Sequence, residues 1–360
     1  MTASIKSGRI GVIGESNRGA PIGVIGAGAW GTALAQMLAS DGSRVLLWAR
    51  EAELVAEINT KRTNTLYLPG VTLGEGITAT SDLADLASLG VLLVVVPAQH
   101  LAGVLGRLPA WGGAGTRDIV LCAKGIEAGT GRMMVDVARD AAPDACLAVL
   151  SGPTFAREVA LGLPTAITLA CGGGEAQWQR LSAAIARPTF RPYYSDDIIG
   201  AEIGGAVKNV LAIACGVVEG LGLGENARAA LIARGFAEML RFGTARGGRA
   251  ETLSGLCGLG DLVLTCASTA SRNYSLGKAL GEGKSAAEAL SGKASVAEGA
   301  ATAPVLADLA AREGIAMPIV DAVARLLAGE APAREVVSQL LSRPLKAEQA
   351  GASPPQSAPT

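Results

Sequence analysis

From Ile22 to about Ser195, short apolar runs rich in β-branched residues alternate with amphipathic stretches. The runs IGVIG, RVLLWAR, VLLVVVP, DIVLCAKG, LAVLSGP and PTAITLAC predict strands, and the stretches opening near Trp30, Glu51, Ser81, Ala98, Thr130 and Glu175 predict helices between them. Strands covered on both faces read as unbroken apolar runs, so the pattern predicts an α/β fold built on a doubly wound parallel sheet. After RPYYSDDIIG the texture changes, and from Ala201 to Leu341 the periodicity is helical with almost no strand-like run. The expected organisation is an N-terminal extension over 1–21, a sheet domain over 22–196, an all-helical domain over 197–345 and a disordered Pro/Ser/Ala-rich tail over 346–360.

Composition narrows the function. A chain of 360 residues with 49% hydrophobic content buries a large core, and a net charge of −1 from 31 basic and 32 acidic residues excludes a surface dominated by nucleic-acid contacts. The longest apolar runs, VLLVVVPA and VLAIACGVV, are too short to span a bilayer. Six scattered cysteines with no CxxC pair, and an N-terminus without a signal-peptide pattern, indicate a reduced, cytoplasmic protein. The lone histidine, His100, excludes a His-cluster metal site, and at its loop position it reads as structural. Any catalysis is therefore expected from lysines or carboxylates.

The word Gly-Val-Ile-Gly occurs twice, at 11–14 and 23–26, and only the second copy continues as Gly26-Ala-Gly28-Ala-Trp-Gly31. That GxGxxG follows a strand and opens a helix, the arrangement of a Rossmann dinucleotide loop: Gly26 for the tight turn, Gly28 for approach to a pyrophosphate, Gly31 for helix–sheet packing. The first copy, followed by ESNRG, is expected to precede the fold. At the end of the next strand, where an acid often holds the ribose of NAD, stand Arg50 and then Glu51. Arginine there accepts a 2′-phosphate, so the cofactor is NAD or NADP with a leaning to NADPH.

Three polar groups interrupt the apolar pattern. Lys208, followed by Asn209, lies in IGGAVKNVLAIACGVVEG, a stretch apolar nearly all round. A lysine buried there needs a carboxylate, a substrate or a depressed pKa, unless it snorkels out from one helix edge. GLCGLGDLVLTCASTASRN offers Asp261 after Gly255, Gly258 and Gly260, then Ser271-Arg272-Asn273, a trio whose donors suit a phosphate. Taken alone, Asp261 reads as well as a helix cap and Arg272 as a surface charge. Lys124 in LCAKGIEAGTG, and Gly152, Thr154 and Ala156 in SGPTFAREVALGLPT, follow strands and belong to the rim where such sheets bind ligands.

Together GVIGAGAWGTALA, VVVPAQ, AKGIE, SGPTFAREVALGLPTA, GGAVKNVLAI, NARAALIARGFAEM, GLGDLVLTC, SRN and VAEGA, in that order over Ile22 to Leu341, closely resemble the bacterial NAD(P)-dependent glycerol-3-phosphate dehydrogenases. The resemblance implies interconversion of dihydroxyacetone phosphate and sn-glycerol 3-phosphate, with hydride passing between C2 and C4 of the nicotinamide, in a homodimer supplying phospholipid synthesis. It implies Lys208 as proton donor and acceptor, Lys124 against substrate and nicotinamide, and Gly152, Thr154, Asp261, Ser271, Arg272 and Asn273 around the substrate. It places Ala29, Trp30, Arg50, Ala156, Arg272, Val296 and Glu298 on the dinucleotide. Two rivals share parts of this pattern: a two-domain dehydrogenase of a 3-hydroxyacid or ketopantoate-like substrate, and a dinucleotide-sensing regulator without chemistry.

Overall fold

The computed structural model describes residues 21–113, 115–291 and 297–342. The expected extension, with the first Gly-Val-Ile-Gly, and the expected tail therefore lie outside the described residues, as does Val296.

Eight strands make one sheet: β1 (Ile22–Ile25), β2 (Val45–Trp48), β3 (Ile77–Thr80), β4 (Val91–Val94), β5 (Arg117–Leu121), β6 (Ala145–Ser151), β7 (Thr165–Cys171) and β8 (Phe190–Ser195). Their order is β3-β2-β1-β4-β5-β6-β7-β8. Strand order reverses between β1 and β4, so the loop leaving β1 opens onto the crevice that such sheets use for ligands.

Two expectations need correction. The sheet is not wholly parallel, because β7 runs antiparallel to β6, with Ser151 opposite Thr168 and Ala148 opposite Cys171. In addition, β3 and β8 are absent from the six strands read in the apolar pattern. Both are edge strands: ITAT alternates buried and exposed residues, and FRPYYS buries only Phe190. A strand covered on one side lacks the unbroken apolar run that marks the central ones. Among the helical expectations, the stretch near Ser81 forms a single 3₁₀ turn, Leu83–Leu86, and the one near Thr130 becomes regular helix only at Met134–Ala141.

Alternate strand residues face two cores. Val120, Ala148 and Leu150 point into one, with the helices Ala29–Ala39 and Gly174–Ile185; Ile119, Leu121, Leu147 and Val149 point into the other. That second core continues without a break into Ala206, Val210 and Ile213 of a 23-residue helix, Ile198–Gly220. This helix is long and apolar enough to cross a membrane, contrary to the short runs seen in sequence, but 89% of its apolar window is buried inside the protein. It has no need of lipid.

Helices surround it. Arg272–Gly281 crosses at backbone contact: a Cβ at Gly216 would stand 2.0 Å from the Tyr274 carbonyl oxygen, and one at Gly277 would stand 1.9 Å from that of Ile213. A side chain at either place would force the helices apart. The long helix also carries the buried Glu202, whose Oε1 accepts the Val135 N–H at 2.8 Å at the start of Met134–Ala141. Burial holds that carboxyl at about 8.

Candidate active site

The glycine loop has a separate steric reason at each glycine. Gly26 has φ +114°, outside the range open to most L-residues, and its carbonyl oxygen would lie 1.8 Å from a Cβ on Gly31. Gly28 differs, since a Cβ there would meet nothing within 4 Å. The backbone is thus bare toward the crevice at the N-terminus of the 11-residue helix Ala29–Ala39, where N–H groups and the helix dipole favour an anion. These residues fit a dinucleotide pyrophosphate. Ala29 is the first residue of that helix, and Trp30 and Ala156 pack half-buried against the same core.

Arg50 stands exposed beyond β2 with its Nη2 2.7 Å and Nε 3.1 Å from Glu51 Oε1. The charge available for a 2′-phosphate is therefore shared with a neighbouring carboxylate.

The polar centre lies where the two parts of the fold meet. Asp261, fully buried, opens the helix Asp261–Cys266 directly after a wide, π-type turn, Leu256–Gly260. That turn fits because residue 204 of the long helix is glycine: a Cβ there would lie 2.5 Å from the Cys257 carbonyl oxygen. Each Asp261 oxygen takes one lysine, with Lys208 Nζ 2.7 Å from Oδ1 and Lys124 Nζ 2.7 Å from Oδ2. Lys208 also donates to Thr265 Oγ1 at 2.9 Å, and Lys124 to the Gly152 carbonyl at 3.1 Å. Lys208 does not snorkel, because its side chain is only 7% exposed.

Three charges in so small a volume leave a net positive centre when both lysines are protonated. Burial pushes the Lys208 ammonium down to about 8, Lys124 acts the same way, and Asp261 opposes both. The net shift is therefore downward: desolvation outweighs the ion pair. Such a group exchanges its proton near neutrality, which an ordinary lysine does not.

The remaining expected residues divide. Gly152 and Thr154 lie at the Lys124 ammonium, where Thr154 Oγ1 shares the Gly152 carbonyl at 3.3 Å. Glu298 accepts the Ala98 N–H at 3.3 Å; burial raises its carboxyl pKa, while Arg272, Lys124 and Lys208 pull it down electrostatically. Those cations therefore share one neighbourhood. The Ser271-Arg272-Asn273 trio does not present three groups alike. Ser271 caps Arg272–Gly281 by accepting from the Tyr274 N–H; Asn273 bridges Asn209 Oδ1 at 2.9 Å and the Gly299 N–H at 3.0 Å; Arg272 is exposed.

Two members of the centre were not among the expected site residues. Thr265, four residues after Asp261, shares its helix face and the Lys208 ammonium. Asn209 donates to the Lys124 carbonyl at 3.0 Å, tying the long helix to the loop after β5. The i, i+4 spacing in DLVLT was a signal for the first; adjacency to Lys208 was the only signal for the second. Among the described residues no group of three His, Cys, Asp or Glu side chains suits a metal ion.

Comparison with known proteins fits this geometry. Residues 21–177 match the family model described as NAD-dependent glycerol-3-phosphate dehydrogenase N-terminus, and residues 197–338 match its C-terminus counterpart. The chain is 73% identical over 327 residues to glycerol-3-phosphate dehydrogenase [NAD(P)+] of Novosphingobium aromaticivorans, covering 91% of this chain and 98% of that one. It is 67% identical to the enzyme of the same name from Erythrobacter litoralis, with the same coverages. A crystal structure of glycerol-3-phosphate dehydrogenase from Coxiella burnetii superposes with TM-score 0.84 at 40% identity, over 90% of this chain and 99% of that one. The rival readings as a 3-hydroxyacid dehydrogenase or a regulator fall away, and the chain belongs to the NAD(P)-dependent glycerol-3-phosphate dehydrogenase family.

Proposed function

We propose that this oxidoreductase, which interconverts dihydroxyacetone phosphate and sn-glycerol 3-phosphate with NAD or NADP, uses Lys208 as the proton donor and acceptor at the C2 oxygen. The observation that carries the reading is the bridging carboxylate: Asp261 holds both lysine ammonium groups at 2.7 Å. The dinucleotide, when bound, supplies the hydride chemistry at C2. During reduction Lys208 donates its proton to the developing alkoxide, and in the reverse direction the neutral amine takes the proton from the C2 hydroxyl. A pKa of about 8 makes both forms accessible.

Lys124 adds positive charge beside the same oxygen, and the pair of cations, preorganised by Asp261, stabilises negative charge without reorganising. Arg272 at the surface is the guanidinium for the substrate phosphate or the dinucleotide, converting remote binding energy into placement of C2. The residues that would hold the dinucleotide are Gly26, Gly28, Ala29, Trp30 and Gly31, with Arg50, Ala156 and Glu298, Arg50 serving the adenosine ribose. The same reading has a cytoplasmic homodimer supplying glycerol 3-phosphate to phospholipid synthesis; six free thiols suit a reducing compartment.

The test is Lys208→Ala. The variant should bind NADH as the parent does and lose about 10²–10⁴-fold in kcat for dihydroxyacetone phosphate reduction, the usual worth of a general acid. Parent-like turnover would remove Lys208 from the role.

A further inference from the structure

Asn64 is fully buried, yet it lies in the connection between the helix Ala52–Lys61 and β3, far in sequence from either half of the site. Its amide nitrogen donates to the Ala27 carbonyl oxygen at 2.9 Å and to Thr32 Oγ1 at 2.8 Å. Its Oδ1 accepts the Tyr67 N–H at 3.1 Å, which fixes which end of the amide is the donor. Thr32, also fully buried, donates its hydroxyl to the same Ala27 oxygen at 3.2 Å. One backbone carbonyl in the middle of the glycine loop is thus held by two buried side chains.

A trans peptide is planar, with its C=O and N–H pointing in opposite directions. Ala27 C=O and Gly28 N–H belong to one peptide unit, so anchoring the carbonyl toward Asn64 and Thr32 aims the Gly28 N–H the other way. We infer that Asn64, with Thr32, is a positioning residue for the coenzyme: it locks the Ala27–Gly28 peptide so that the Gly28 N–H faces the bound pyrophosphate. Without the lock that peptide is free to turn, because Gly28 has no side chain and open space around it. A turned peptide presents a carbonyl oxygen to the pyrophosphate in place of a donor.

This inference rests on the glycine loop being the coenzyme site, and the test separates the two. Dissociation constants for NADH and NADPH are measured on the full chain by fluorescence titration, with steady-state kinetics alongside. Gly28→Val tests the site itself, and parent-like coenzyme binding in that variant would remove the loop from the role. Asn64→Ala should raise both dissociation constants by the same factor, about tenfold to a hundredfold, the size of one or two buried hydrogen bonds. KM for dihydroxyacetone phosphate and kcat at saturating coenzyme should stay within about threefold, the scatter usual away from reacting groups.

Asn64→Asp keeps the shape and sets an acceptor against the Ala27 oxygen, so it should bind coenzyme no better than Asn64→Ala. Thr32→Val removes one anchor, remains testable if the Asn64 variants do not fold, and should weaken both coenzymes by a smaller common factor. Dissociation constants within twofold of the parent in a folded variant, or a rise for one coenzyme only, would overturn the inference even if thermal stability falls.

Discussion

The two halves of the site are made of different material. At the glycine loop, the proposed coenzyme site, the surface offered to a ligand is backbone, and the loop's own side chains matter chiefly by absence: no Cβ at Gly26, Gly28 or Gly31. The Lys208 centre, to which we assign the proton transfer, is built of side chains drawn from the loop after β5, the long helix and the helix after the π-type turn, across as many as 137 residues. A backbone site is local, so its spacing is visible in six consecutive letters. A side-chain site is non-local, and nothing in the chain before folding says which carboxylate two lysines will share.

The comparison breaks most sharply at Asp261. Asp261→Asn leaves the buried Lys208 ammonium and the partly buried Lys124 ammonium without their counter-charge, and loss of a buried ionic partner costs about 3–5 kcal/mol. Calorimetry should show the lowered stability, and kcat should fall at least a hundredfold at pH 7, as expected for a displaced general acid. Coenzyme affinity measured by titration should hold within about threefold, the margin for sites that do not share partners. A parallel loss of NADH binding would mean that the two halves are one unit.

A pH profile probes the same divide at smaller amplitude. With Lys208 as the proposed proton donor, reduction needs it charged, so kcat/KM for dihydroxyacetone phosphate should fall as pH rises through about 8, while that for glycerol 3-phosphate oxidation rises through the same range. The slope is about tenfold per unit beyond the midpoint for one proton. Because Asp261 raises this pKa and Lys124 lowers it, Asp261→Asn should move the limb to lower pH. Coenzyme binding, lacking this group, should show no step there.

The smallest expected effect is at the loop's far end. Arg50→Ala should raise KM for NADPH by about tenfold, the worth of one charge-assisted hydrogen bond to a phosphate, and leave NADH within twofold. Glu51→Gln releases the guanidinium from a surface ion pair worth up to about 1 kcal/mol, so KM for NADPH should fall by no more than about fivefold. Equal shifts for both coenzymes would place the pair away from the ribose.

The same contrast explains what was legible in sequence. The central strands, the glycine loop and the buried helix are written in local periodicity, and each appears where that periodicity puts it. The edge strands β3 and β8 and the reversal at β7 are not, because edge exposure and strand direction depend on neighbours rather than on the strand's own residues. Lys208 stood out as a cation among apolar residues; Thr265 and Asn64 did not, since a threonine or asparagine is ordinary until its partner is known. The family likeness supplied the grouping of Lys124, Lys208 and Asp261 that periodicity could not.

The reversed strand has a last consequence, for arithmetic along the chain. Because β7 and β8 both run away from the rim that holds Gly152, the chain leaves β8 at Ser195 level with Val149 and starts the long helix lower still, with Ile198 against Gly172, whose N–H bonds Leu147. The helix must climb back, and by Gly205 it is beside Ser151. Seven helical residues rise about 10.5 Å and four strand residues about 13 Å, so the two scales run nearly level. Lys208 is reached one helical turn later. Position 208 is thus a distance measured off from a fixed start, and one residue added between 198 and 208 would swing the ammonium by about 100° around the helix, off its carboxylate. The fold works here as a ruler, and insertions that a surface loop would absorb have no place to go.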